Sequence, residues 1–348
     1  MQTVIRVDSS EQIGSGHLMR CLTLARRLRS KRGAGVMFIC RDLPGNLISF
    51  VREQGFQIAV LPCVEVAANL EGYAAWLTVT QKRDAEETIA VLPSEVDLLV
   101  VDSYAIDRQW EKKLRPFVKE IFVIDDLANR PHDCDVLLDQ NFHPDGGANV
   151  YKGLVPEHCR MLIGPRHALL REEFYEARSH LRSRTGEIKQ ILVFYGGADL
   201  TDETSKAVRA LVKLHGKMRF TADIIVGGSN PRAEAVRQLC EQYDYLQYHF
   251  QVRNMAEYMA GADLMLGAGG TTTWERCYLG LPAVVTSIAD NQHEGSRIFA
   301  EAGYNFYLGR AEDVLEDDIE SAILQMTPER LRAYRVAGEQ LMGVGDDV

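Results

Sequence analysis

Positive charge is what this chain has least to spare. Lys plus Arg number 39 against 49 Asp plus Glu, for a net charge of −10. That balance excludes a nonspecific nucleic-acid binder, which needs a basic face to displace counterions. A local basic patch can still hold a small anionic ligand. No uninterrupted apolar stretch approaches the length needed to cross a bilayer. The first residues, Met1-Gln2-Thr3-Val4-Ile5-Arg6-Val7-Asp8, have neither the apolar run nor the cleavage signal of a secretory peptide. The expectation is a cytoplasmic protein with no membrane partner. The seven cysteines, Cys21, Cys40, Cys63, Cys134, Cys159, Cys240 and Cys277, are odd in number and form no Cys-x-x-Cys pair. They read as free thiols in a reducing compartment, mostly buried as small apolar side chains. The sequence also lacks a Gly-x-Ser-x-Gly elbow, a Walker loop and a His-Glu-x-x-His helix. Serine hydrolase, P-loop NTPase and zincin are left without support.

What is present is a globular composition, 46% hydrophobic and 25% charged, over 348 residues. That length suits two domains of ordinary size. Short apolar runs alternate with longer amphipathic ones, the pattern of βαβ units and a parallel sheet. Strands are predicted at 4–8, 36–40, 98–102, 121–124 and 136–138, then at 191–195, 222–226, 264–266 and 283–286. A helix is predicted over 17–31, with Leu18, Cys21, Leu22, Ala25 and Leu28 on its buried face and Gly33 closing it. Arg26, Arg27 and Arg29 fall on the face expected to meet solvent. The fold expectation is α/β, two doubly wound Rossmann-like domains facing a cleft. Residues 1–170 form the first domain and 187–315 a nucleotide-binding second. The polar stretch from Arg171 to Arg184, with Thr185-Gly186, is expected to link them. The C-terminal helices, 316–348, are placed to pack back across the cleft.

The most informative stretch is Gly269-Gly270-Thr271-Thr272-Thr273-Trp274-Glu275, between an apolar strand and a predicted helix at 274–280. Small residues there let backbone N–H groups approach a phosphate, and the helix start adds partial positive charge. Glu275 is then placed to accept from ribose hydroxyls. The competing reading is a glycine turn that only packs the helix closely on the sheet.

Near the N-terminus, Gly14-x-Gly16 follows a strand, but Met19 stands where a dinucleotide fingerprint needs glycine or alanine. His17 at the helix start reads as a neutral proton acceptor, disfavoured as imidazolium by the helix dipole. The competing reading is a histidine that caps its own helix. Further polar groups end other strands: Asp102-Ser103-Tyr104, Asp125-Asp126 and Asp139-Gln140-Asn141. Tyr104 can bond a sugar or phosphate. Asp125-Asp126 has no third ligand at a useful spacing, so no metal is expected. Gly196-Gly197-Ala198-Asp199 can face phosphates or be a tight turn, with Thr201-Asp202 as the cap of the next helix. Asn291 and Gln292 suit hydroxyls or amides of a sugar, and His293 rivals His17 as base.

Taken in order, these motifs resemble the UDP-sugar hydrolases of the pseudaminic acid pathway, relatives of the two-domain GT-B glycosyltransferases. The resemblance rests on Arg6-Val7-Asp8 with Gly14-x-Gly16-His17-x-Met19-Arg20-Cys21, on Asp125-Asp126-Leu127-Ala128 and on Leu138-Asp139-Gln140-Asn141. It continues through Leu169-Leu170-Arg171-x-Glu173-Phe174, Gly196-Gly197-x-Asp199, and residues 267–275 with Asn291-Gln292. It implies hydrolysis of UDP-2,4-diacetamido-2,4,6-trideoxy-β-L-altropyranose to UDP and the free sugar, with inversion, in a pathway that serves flagellin glycosylation. His17 would activate the water. Gly14, Gly16, Arg20, Tyr104, Gly197, Gly269, Gly270, Thr271, Thr272, Glu275, Asn291 and Gln292 would bind the substrate, without metal or cofactor. The alternatives are a glycosyltransferase with an unidentified acceptor and a nucleotide-sugar binding protein without catalysis.

Overall fold

The computed structural model describes residues 1–66 and 70–343. The chain divides into two compact units, with the division at Leu169/Leu170. Strands of the first unit are β1 (Gln2–Val7), β2 (Gly35–Arg41), β3 (Gln57–Leu61), β4 (Leu98–Asp102), β5 (Glu120–Ile124), β6 (Val136–Asp139) and β7 (Arg160–Ile163). They form one sheet in the order β3-β2-β1-β4-β5-β6-β7, every neighbouring pair parallel. Helices α1 (Gly16–Arg32), α2 (Ile48–Glu53), α3 (Gln81–Ala90) and α4 (Arg108–Leu114) lie in the four connections from β1 to β5. The strand order reverses between β1 and β4, and ligands of open α/β sheets bind beyond the carboxyl ends at such a point.

Local chemistry accounts for α1. Leu18, Cys21, Leu22, Ala25 and Leu28 are all buried against a core shared with Val7, Phe38 and Ile124. The helix ends at Gly33, which takes the left-handed φ of 60° and donates its N–H to Leu28 O. Arg27 departs from expectation: it is buried rather than solvated, while Arg29 is exposed. A long stem lets an arginine cover apolar surface while its head stays polar.

The second unit contains α5 (Glu172–Ser179), then β8 (Gln190–Phe194), α6 (Glu203–His215), β9 (Thr221–Val226), α7 (Ala233–Cys240), β10 (Leu246–Phe250) and α8 (Met255–Gly261). It continues with β11 (Leu264–Ala268), α9 (Thr272–Tyr278), β12 (Ala283–Ser287), α10 (Asp290–Glu301), β13 (Phe306–Arg310), α11 (Glu316–Leu324) and α12 (Pro328–Leu341). Its sheet runs β10-β9-β8-β11-β12-β13, again all parallel, and reverses between β8 and β11. Helix α11 packs on α6 and α12 on α9.

The stretch expected to link the domains is instead fastened to the second one. Helix α5 packs on α8 and α9. Arg184 donates to Ala262 O, Leu279 O, Gly280 O and Met259 O. Arg182 reaches Gly261 O and Asp263, and Arg178 reaches Tyr278 O. These carbonyls lie at the ends of α8 and α9, where helices leave acceptors unpaired. Polar composition marked the stretch as a link, but three of its arginines, Arg178, Arg182 and Arg184, are bonded to backbone carbonyls of the second domain.

Candidate functional site

In the first domain, parallel pairing sets Val7 of β1 opposite Asp102 of β4. The loop leaving β1 turns back on itself, with Gly14 at the left-handed φ of 77° donating to Ser10 O. Helix α1 then starts at Gly16, which delivers His17 to the end of β4. His17 Nδ1 lies 2.6 Å from Asp102 Oδ1 and 3.2 Å from Arg20 Nη2. The ionised carboxylate can only accept, so at 2.6 Å Nδ1–H donates to it. Arg20 Nη2, itself only a donor, is then a close neighbour and not a partner of Nδ1, and the lone pair of the neutral ring resides on Nε2.

Arg20, one turn along α1, clamps Asp102 with Nε to Oδ2 at 2.6 Å and Nη2 to Oδ1 at 2.7 Å. Its Nη1 donates to Asp126 Oδ2 at 2.6 Å, which also accepts from the Tyr104 hydroxyl at 2.8 Å. Burial works to raise the Asp102 carboxyl, but Arg20 and then His17 hold it well below the usual carboxylate range. Burial, then Asp126, push the Tyr104 phenol up, so it stays a donor. Every nitrogen of Arg20 is thus taken up inside the protein, which makes it a holder of Asp102 and Asp126. Around the imidazole stand rings: Tyr104 at 4.6 Å between centroids and Trp76 at 6.0 Å, both edge-on.

In the second domain, the carboxyl ends of β8 and β11 carry the glycines noted above. A Cβ on Gly269 would sit 2.0 Å from Ser296 Oγ, and one on Gly227, after β9, 2.4 Å from the Gly197 backbone. The loops after β8 and β9 therefore touch backbone to backbone. Gln292 turns its amide toward the same turn, Nε2 lying 3.8 Å from a Cβ placed on Gly270, while its Oε1 accepts from Ile288 N. Thr271 and Thr272 stand at the start of α9, Thr271 exposed. Asn291 lies in α10, and its side chain lies outside the described residues. Glu275, in the first turn of α9, accepts from Arg171 Nε through Oε1 at 3.1 Å. Burial raises its carboxyl and Arg171 works against that.

His293, the rival base, is bonded to the Tyr307 hydroxyl at 2.7 Å, which meets Ser287 at 2.9 Å. The expected cap of α6 is corrected. Asp202 occupies the cap position without a side-chain bond. Asp199 instead reaches the N–H groups of Glu203 and Thr204 at 3.0 and 2.9 Å. Glu203 itself is fully buried with Lys206 at 2.6 Å, and burial, partly offset by Lys206, pushes its carboxyl up to about 7.

Residues 191–345 match the glycosyltransferase family 28 C-terminal domain. The UDP-2,4-diacetamido-2,4,6-trideoxy-beta-L-altropyranose hydrolase of Campylobacter jejuni is 26% identical over 306 residues, covering 87% of this chain and 98% of the relative. The chain is a GT-B-fold relative of that hydrolase. An uncharacterised protein of Methanocaldococcus jannaschii is 25% identical over 84% of this chain, which spans 57% of that relative's length. Among solved structures, Phytolacca americana UGT2 complexed with UDP-2-fluoroglucose and pterostilbene superposes with a TM-score of 0.68 at 13% identity. That likeness covers 98% of this chain and 93% of the other and bears on the fold alone.

Asp102 stood in the sequence as one of several polar strand ends, and nothing ranked it first. Asp126 and Arg171 stood in motifs of the resemblance without a role of their own, and Trp76 and Tyr73 carried no signal. Asp126 is brought to Arg20 and Arg171 to Glu275 only by the folded chain.

Proposed function

We propose that the protein hydrolyses a UDP-linked N-acylated deoxyhexose, UDP-2,4-diacetamido-2,4,6-trideoxy-β-L-altropyranose, to UDP and the free sugar with inversion. The observation that carries this reading is the His17–Asp102 pair at the reversal point of the first sheet. Asp102 holds Nδ1–H, so Nε2 is free to take a proton from water as its oxygen attacks the anomeric carbon. The bond from that carbon to the diphosphate oxygen breaks, and UDP leaves as the anion. Within the second domain, the backbone N–H groups of the Gly269–Thr272 turn suit a diphosphate, and Glu275 suits ribose hydroxyls. Likeness to the Campylobacter hydrolase over most of both chains supports the choice of sugar nucleotide. No step calls for a metal.

The family 28 match supports a second reading, in which an acceptor other than water takes the sugar. The deciding experiment is UDP release from the diacetamido-trideoxy nucleotide with EDTA present and no acceptor, with the product anomer followed by NMR. Hydrolysis requires acceptor-free turnover with inversion, abolished in His17→Ala while UDP binding persists. A folded, UDP-binding wild type that releases nothing until an acceptor is added establishes transfer instead.

A further inference from the structure

Beside the imidazole lies an aromatic cluster that the proposed chemistry does not use. Tyr73 and Trp76 belong to a short 3-10 turn, Gly72–Leu77. Their ring centroids are 4.9 Å apart, and each also contacts Tyr104, at 5.2 and 5.6 Å, with Trp76 stacked on it. Two of the three rings touch His17. Trp76 leans on the core behind β4 and β5, but Tyr73 is 43% exposed. Its ring rests on two other rings instead of being buried in the core. The Tyr104 hydroxyl is already committed to Asp126, so this surface offers ring faces and edges in preference to hydrogen bonds.

We propose that Tyr73, Trp76 and Tyr104 form the platform that selects the hexose by receiving its apolar substituents. The inference rests on the hydrolysis proposed above. A sugar that presents its anomeric carbon to a water at His17 must lay the rest of its ring close to the imidazole, and these side chains stand there. Aromatic faces reward methyl groups and C–H surfaces and return nothing for a buried hydroxyl left without a partner. A hexose with a C6 methyl and acetamido groups gains on such a platform; one with hydroxyls at C4 and C6 loses.

The test compares two ligands, the diacetamido-trideoxy UDP-sugar and UDP-N-acetylglucosamine, on wild type, Tyr73→Ala, Trp76→Ala and Trp76→Phe. For each, kcat/KM and the calorimetric Kd are measured beside the Kd for UDP alone. The alanine variants should lower the preference for the deoxy, acylated sugar by roughly tenfold or more, the scale of a lost apolar pocket contact. UDP affinity should hold, and Trp76→Phe should keep most of the preference. An equal loss on both sugars, or no change, overturns the platform. If Trp76→Ala fails to fold, exposed Tyr73 and the phenylalanine variant decide. A wild type that binds both nucleotides but releases UDP from neither sinks the hydrolysis, while the Kd ratios still judge the platform. Should the wild type bind neither sugar nucleotide, both proposals fall.

Discussion

His17, Asp102, Arg20, Asp126 and Tyr104 form one chain of charge-assisted bonds, and its members divide the labour. Asp102 selects the tautomer of His17, while Arg20 keeps Asp102 ionised and aimed. Asp102→Asn keeps the shape but can turn a donor toward the imidazole. We expect kcat to fall by ~100-fold or more, the lower range for general-base assistance, with UDP affinity unchanged in equilibrium titrations. A loss under tenfold would show that the carboxylate does not set the tautomer. Glu203 gives a second expectation. Its folded pKa of about 7 lies above the ordinary glutamate value of 4.5, so the folded state binds the proton more tightly. Its contribution to stability is greatest below the unfolded value, declines as pH rises through that window, and levels off above it. Glu203→Gln does not titrate. Its melting temperature relative to wild type should rise between about pH 4.5 and 7. The shift corresponds to a gain on the order of 1–3 kcal/mol. A flat difference across that range would refute the buried-acid assignment.

At the scale of strands and helices, the nine strands visible in the sequence are interior ones, and the four that escaped, β3, β7, β10 and β13, are the four sheet edges. Interior strands of a parallel sheet are covered on both faces and read as unbroken apolar runs. An edge strand such as β10, Leu-Gln-Tyr-His-Phe with only its first residue buried, mixes polar and apolar side chains and leaves no run to detect. The site was legible to a similar depth. His17 and the Gly269–Glu275 turn announce themselves because a loop between strand and helix must be small or polar there. Asp126 showed only as part of a polar strand end and Trp76 not at all; their partners, Arg20 and Tyr104 for one and His17 for the other, are distant in sequence. One loop contact is directly testable. A Cβ on Gly227 would overlap the Gly197 backbone at 2.4 Å, and neither side is a flexible side-chain end. Gly227→Ala should cost ~1–3 kcal/mol in denaturant unfolding and weaken UDP binding as the loops after β8 and β9 part. Unchanged stability and affinity would mean the loops are not held together.

For the molecule as a whole, two parallel sheets, each with a reversal of strand order, put the loops at the carboxyl ends of the strands in the position where open α/β sheets take ligands. Among the described residues, no helix is long and apolar enough to cross a membrane. The arginines of residues 171–184 have a consequence for how the chain yields to proteases. A polar, basic segment at a domain boundary is ordinarily the first place trypsin cuts, since the enzyme must draw an arginine side chain into its own pocket. Here Arg184 is committed to four backbone carbonyls, and Arg178 is held against Tyr278 by its carbonyl and its ring. Limited digestion of the native protein should therefore spare the bonds after Arg178 and Arg184, as mass spectrometry of the fragments would record. Arg184→Gln, which abandons most of those carbonyls, should open the segment to cleavage after Arg178 and turn a basic stretch that resists trypsin into an ordinary tryptic site.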